Sequence, residues 1–151
     1  MCDVSCEISS LFSNFTKLLI TFAERKFLPN FKNMRTATAN KKLDEIIAKV
    51  ESKGISADGL IDDLKALREF ALKEQDPLVV KVLRLTYEYL LDREAFDVSA
   101  QYEEDEEGEY ALDVDDKENL LYLLNLLKNA EHKLNREEIK DYRTALKGEL
   151  Y

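Results

Sequence analysis

Residues 76–91 have the sequence Asp-Pro-Leu-Val-Val-Lys-Val-Leu-Arg-Leu-Thr-Tyr-Glu-Tyr-Leu-Leu, and this stretch decides the fold class. Asp followed by Pro is a typical helix start, because the Asp side chain can cap free amide groups and Pro suits the first turn. The stretch leaves few polar positions on any side of such a helix. A helix that is apolar on most sides is usually central and packed by neighbours. We therefore predict an all-α fold built around this helix.

Apolar residues recur at helical spacing in five further segments. These segments lie at residues 4–27, 43–50, 60–71, 120–127 and 139–146. The first of them ends before Pro29. The chain has only four glycines and two prolines in 151 residues, which suits helices joined by short loops. We expect a compact array of about six helices forming a single domain over residues 1–151.

Local signals predict where several of these helices begin or end. Gly54 is placed to close one helix in a left-handed conformation, and Ser56 is placed to cap the next. Two pairs have the spacing of capping boxes for the last two helices: Asp115 with Glu118, and Asn135 with Glu138. Leu134 and Ile139 have the spacing of a hydrophobic staple. His132 is expected near the end of the fifth helix, where its positive form would complement the helix dipole.

The segment 96–114 departs from helical periodicity. Apolar and polar residues alternate on both sides of the sequence Glu-Glu-Asp-Glu-Glu-Gly at residues 103–108. The alternating apolar residues are Phe96, Val98, Ala100 and Tyr102, and then Tyr110, Leu112 and Val114. Such alternation is typical of strands. We predict a small β-hairpin or an acidic loop inserted between helices four and five.

The negative charge of the chain is concentrated in this segment. The formal net charge of the chain is −9. Residues 102–118 contain ten acidic residues and one lysine, so this segment alone has a net charge equal to that of the whole chain. The candidate partner-binding residues are Tyr102, Glu103, Glu104, Asp105, Glu106, Glu107, Glu109 and Tyr110. Basic residues concentrate in residues 25–42, which contain no acidic residue and form a predicted connector. These basic residues are Arg25, Lys26, Lys32, Arg35, Lys41 and Lys42.

This charge pattern has four interpretations. Both elements can be solvated loops that maintain solubility. They can also face each other, although surface ion pairs would hold them together only weakly. The acidic element can instead dock a protein partner with a basic surface. Finally, the basic connector can bind phosphates or nucleic acid, but the overall acidity of the chain would slow its approach to a polyanion, so nucleic acid is not the expected partner.

No motif for catalysis, cofactor binding or metal binding is found in the sequence. His132 is the only histidine, which excludes zinc motifs with paired histidines. The four glycines are isolated, so no phosphate-binding loop can be drawn. Cys2 and Cys6 do not form a disulfide framework, and the lack of other cysteines favours a reducing, cytoplasmic location. We therefore expect no catalytic residues, no cofactor and no metal.

The function hypothesis is a non-enzymatic protein–protein interaction module, such as a small cytosolic adaptor, regulator or immunity-type binder. The first alternative is an all-helical, Mg²⁺-dependent hydrolase of phosphorylated small molecules. Its metal ligands would be Asp115, Glu118, Glu138 and Asp141. The second alternative is phosphate or nucleic-acid binding through residues 25–42. A homodimer is a secondary expectation, because an apolar face wider than a six-helix bundle can cover would go to a subunit interface. The longest uncharged stretches have nine residues, so no membrane span is expected.

Overall fold

The structure, a computed structural model, describes residues 36–151. The predicted helix over residues 4–27 and the basic residues Arg25, Lys26, Lys32 and Arg35 lie outside the described residues. The predicted single domain over residues 1–151 therefore stays a prediction. The elements of residues 36–151 are α1 (Ala37–Lys53), α2 (Leu60–Lys73), α3 (Pro77–Arg93), β1 (Tyr102–Asp105), β2 (Gly108–Ala111), α4 (Asp116–Lys128) and α5 (Lys133–Leu150).

This part of the chain is mostly helical, as predicted. Five helices correspond to the second to sixth predicted helices, and a two-stranded antiparallel hairpin lies between α3 and α4. Helix α3 packs against both α2 and α5, while α1 packs against α2 and α4. Eight residues of α3 are buried, in agreement with the apolar character of residues 76–91. Among residues 36–151 no helix is long and apolar enough to cross a membrane.

The predicted start of the central helix is confirmed. Asp76 is the N-cap of α3, and its Oδ1 accepts hydrogen bonds from the amides of Leu78 (3.2 Å) and Val79 (3.4 Å). Gly54 follows α1 with a φ of 76°, a backbone conformation that glycine adopts without a steric penalty. Its ψ of −163° is not that of the left-handed helical cap that the sequence suggested.

Two other predicted helix starts are wrong, and a third is right in position but not in its capping box. Helix α2 begins at Leu60 after Gly59, so Ser56 does not cap it. Asp115 is the N-cap position of α4, as predicted, but its side chain makes no capping hydrogen bond, so the predicted capping box with Glu118 does not form. Helix α5 begins at Lys133, so the predicted capping box of Asn135 and Glu138 lies inside the helix.

The early start of α5 has a physical reason in its first turn. The amide of Arg136 donates to the carbonyl of His132 at 2.9 Å, which closes a helical turn before Asn135. His132 is therefore the N-cap position of α5, not the last turn of α4, and the expected dipole interaction does not apply. Leu134 is 66% exposed and does not form the predicted staple with Ile139.

Candidate functional site

The acidic segment forms a two-stranded hairpin with a two-residue turn. In its register Tyr102 lies opposite Ala111, Glu103 opposite Tyr110, Glu104 opposite Glu109 and Asp105 opposite Gly108. Asp105 Oδ1 accepts hydrogen bonds from the amides of Glu107 (2.8 Å) and Gly108 (3.1 Å), a turn that Asp favours. Gly108 has a φ of 134°, where a side chain would be strained. The local residues therefore account for the turn.

Every residue of both hairpin strands is exposed. The hairpin carries six carboxylates and no basic residue. None of these carboxylates forms an ion pair with any cation of residues 36–151. Glu104 and Glu109 lie directly opposite each other, and like charges in such a pair destabilise a hairpin. The hairpin thus presents concentrated negative charge that residues 36–151 leave uncompensated.

The two hairpin tyrosines lie on opposite faces. Side chains directly opposite across an antiparallel pair share a face, and successive residues alternate between faces. Tyr102 therefore shares a face with Glu104 and Glu109, whereas Tyr110 shares the other face with Glu103. The Tyr110 hydroxyl donates to Glu103 Oε2 at 3.1 Å, and this hydrogen bond raises the pKa of Tyr110. Tyr102 and Tyr110 are 49% and 46% exposed, so half of each ring surface is accessible.

The hairpin is attached to the helical body through residues 96–101, a segment without helix or strand whose alternate residues are buried, which we call the stem. Phe96, Val98 and Ala100 of the stem are buried. The alternation in the sequence correctly indicated alternating burial, but the strand predicted here does not form, and these three residues pack into the core without pairing in a sheet. The amide of Phe96 donates to Asp116 Oδ2 at 3.1 Å, which ties the stem to the start of α4.

Asn119 of α4 holds the stem from inside the core. Its side-chain Nδ2 donates to the backbone carbonyls of Phe96 (3.0 Å) and Val98 (2.8 Å). Its Oδ1 accepts hydrogen bonds from the Tyr142 hydroxyl (2.5 Å) and from Gln101 Nε2 (3.2 Å). Buried amides with all partners in place fix a segment in one conformation. Asn119 therefore gives the hairpin a defined position on the body.

Aromatic packing adds to this attachment. The ring of Phe96 stacks on that of Tyr142, with centroids 6.4 Å apart, and meets Tyr89 edge to face at 6.0 Å. Such pairs contribute about 0.5–1.5 kcal/mol beyond their burial. The Tyr89 hydroxyl donates to Asp97 Oδ1 at 2.6 Å. This bond lowers the pKa of Asp97, whereas burial and the same bond raise the pKa of Tyr89.

The sequence interpretation missed Asn119, although a signal was present. Asn119 lies four residues before Leu123 and eight before Leu127, so it continues the apolar stripe of α4. A polar residue at such a position is buried in the helix face and needs partners. Its acceptors on Phe96 and Val98 are distant in sequence, however, and the pattern alone does not identify them.

The structure places only part of the predicted basic connector. Lys41 and Lys42 lie in α1, so the prediction that the connector extends to them is wrong. Lys42 Nζ lies 2.7 Å from Asp63 Oδ1, and Lys49 binds the other oxygen of the same carboxylate. Lys42 is thus engaged in an ion pair between α1 and α2.

The four carboxylates proposed as magnesium ligands, Asp115, Glu118, Glu138 and Asp141, do not come together as a group of three or more. Among residues 36–151 no three His, Cys, Asp or Glu side chains lie close enough to hold a metal ion. Glu138 instead accepts a hydrogen bond from the Tyr122 hydroxyl. That bond and burial together raise the pKa of Tyr122 to about 12, burial having the larger effect. The hydrolase alternative stays a prediction.

Comparison with known proteins finds no match to any family model, any curated protein or any solved structure.

Proposed function

We propose that this protein is a non-enzymatic interaction module whose acidic hairpin docks a protein partner with a basic surface. The observation that carries the proposal is the exposed hairpin of six carboxylates without an ion pair to residues 36–151, mounted on a buried stem. Charge of one sign steers an oppositely charged partner and raises the association rate. The stem supports specificity, because it presents the charges from a fixed base.

The face of Tyr102, Glu104 and Glu109 is the proposed centre of contact. Two carboxylates lie side by side there next to a half-exposed ring. Tyrosine is enriched among residues that dominate binding energy, because its ring buries a large area at a small entropic cost. A lysine or arginine of the partner placed between Glu104 and Glu109 would remove their repulsion. Docking would therefore stabilise a hairpin that is marginal in isolation.

The test is a pull-down with the full chain, in which Glu103, Glu104, Glu106 and Glu107 are changed to Gln. We expect the captured partner to be lost or strongly weakened. The matched control changes Glu51→Gln, Asp58→Asn, Asp62→Asn and Asp141→Asn, which removes the same charge from exposed positions elsewhere. We expect this control to retain the partner.

Salt dependence provides the second measurement. At 0.15 M salt, exposed charges are screened beyond about 8 Å, so binding through the hairpin should weaken steeply as salt rises. A partner that is retained both by the four-Gln variant and at high salt would contradict the proposal. The hairpin would then act only to maintain solubility.

The proposed biological role is that of a cytosolic adaptor, regulator or immunity-type binder. The homodimer also stays a prediction, and sedimentation of the full chain would measure it. Loss of the partner in the four-Gln variant without a change in oligomeric state would separate docking from self-association.

A further inference from the structure

An open groove lies on the surface between α2 and α3, away from the acidic hairpin in sequence. Its volume is about 520 Å³, within the range of about 300–1,000 Å³ typical of small-molecule sites. Leu72, Pro77 and Val80 supply apolar lining. Arg68, Lys81 and Arg84 supply three cations along the same groove. An acidic chain thus has a groove that is locally basic and partly apolar.

The charges of the groove are only partly compensated. Asp76 also lines it, but both its carboxylate oxygens bind Arg136. Arg84 Nε pairs with Glu88 at 2.7 Å. Lys81 forms no ion pair with any residue of 36–151. The groove therefore keeps an excess of positive charge.

Arg68 carries the most specific signal for a ligand. Its Nε is buried and has no hydrogen-bond partner among residues 36–151. Its Nη1 lies 3.7 Å from Glu69, beyond hydrogen-bond distance, and the side chain is 27% exposed, so the terminal nitrogens are the atoms that a ligand in the groove would reach. A buried donor without a partner costs free energy, and an anion is the acceptor that a guanidinium binds most strongly.

We propose that this groove binds an amphipathic small-molecule anion, with a phosphate or carboxylate head and an apolar body. The head would bind Arg68 and Lys81, and the apolar body would lie on Leu72, Pro77 and Val80. The volume suits a small molecule, and apolar lining with a few convergent polar groups is typical of such sites. This site is independent of the acidic hairpin and of its proposed partner.

The test uses 1-naphthyl phosphate as the probe, with 1-naphthol and inorganic phosphate as its two halves. Calorimetry on the full chain should show the probe binding at least about tenfold more tightly than either half, since charge-assisted hydrogen bonds and apolar contact act together. Amide NMR shifts should be largest at Leu72, Val80 and Lys81. Absence of binding, or equal binding of 1-naphthol, would overturn the proposal.

Charge variants locate the binding. R68Q with K81Q should weaken probe binding by about tenfold or more. The control pair K53Q with K147Q removes the same charge from exposed positions on α1 and α5, and should leave the affinity unchanged. If R68Q lowers the melting temperature, K81Q alone must still weaken binding. A synthetic peptide of residues 102–111 can be tested on the same groove. If this acidic peptide binds the full chain and 1-naphthyl phosphate does not, the groove is a protein-docking surface and the small-molecule assignment is refuted.

Discussion

Arg136 of α5 forms a two-pronged ion pair with Asp76, the residue that caps α3. The distances from its two terminal nitrogens to the Asp76 oxygens are both 3.0 Å. Asp76 is 1% exposed, whereas the Arg136 side chain is 27% exposed. The hydrogen bond to Asp76 raises the pKa of Arg136, so its charge persists. One carboxylate therefore both starts the central helix and fixes α5 against it.

Replacing Arg136 with Met should destabilise the protein strongly. The change leaves the Asp76 carboxylate buried without its cation, and breaking a buried pair in this way costs about 3–5 kcal/mol. Urea unfolding followed by circular dichroism would measure the loss. Arg143→Met is the control, because Arg143 is exposed on the same helix and forms no ion pair within residues 36–151. Equal effects of the two changes would show that the ion pair contributes nothing.

Replacing Asn119 with Leu should loosen the acidic hairpin at its stem. The carbonyls of Phe96 and Val98 lose their donors and stay buried, with a cost of about 1–3 kcal/mol for each unsatisfied group. Relative to the native chain, backbone amide hydrogen exchange should become faster at residues 96–111 and should change less in α2. Asn125→Leu is the matched control, because Asn125 is exposed on the same helix and, within residues 36–151, its side chain bonds only to the carbonyl of Leu121. Unchanged exchange in the Asn119 variant would contradict the assigned role.

The contrast between Asp76 and Asn119 shows what the sequence can predict. Asp76 acts on amides two and three residues away, so the pattern Asp-Pro before an apolar run is sufficient to place it. Asn119 acts on carbonyls 23 and 21 residues away, which only the tertiary fold brings near. Local signals thus locate helices and hairpin, while the support of the site depends on distant pairings.

The same contrast between local and distant partners applies to the predicted capping box of α5. Asn135 and Glu138 match a capping pattern, but each makes another bond in the fold. Asn135 Nδ2 donates to the carbonyl of Asn129 at 3.2 Å, and Glu138 binds Tyr122 of α4. Alternation in residues 96–102 and 110–114 likewise predicted strands, but not that both hairpin faces are exposed. Exposure depends on what packs nearby, and the pattern contains no such information.

Replacing Glu109 with Lys should stabilise the hairpin and impair docking at once. The change converts the Glu104–Glu109 repulsion into an opposite-charge pair, which contributes about 0.2–1 kcal/mol. Amide exchange within residues 102–111 should slow, while partner capture should decrease. Glu106→Lys in the turn is the control for hairpin stability alone, since it changes the same charge without an opposing strand residue, and Glu106 is itself a candidate partner-binding residue. Stronger capture by the Glu109 variant would argue against the proposed contact face.

Replacing Asp63 with Asn should reveal a pH-dependent link between α1 and α2. Burial alone would raise the pKa of Asp63, but hydrogen bonds from Lys42 and Lys49 outweigh it and lower the pKa below its usual value. A lowered folded-state pKa stabilises the protein above the unfolded-state pKa of about 3.9, and this stabilisation is lost as the pH falls through the folded-state pKa. The stability difference between the native chain and Asp63→Asn should therefore be full at pH 6 and shrink as the pH falls below about 4. Asp62→Asn is the control, because Asp62 is exposed beside Asp63 and forms no ion pair within residues 36–151. A stability difference for Asp63→Asn that stays constant down to pH 2 would show that the charge of Asp63 does not stabilise the fold.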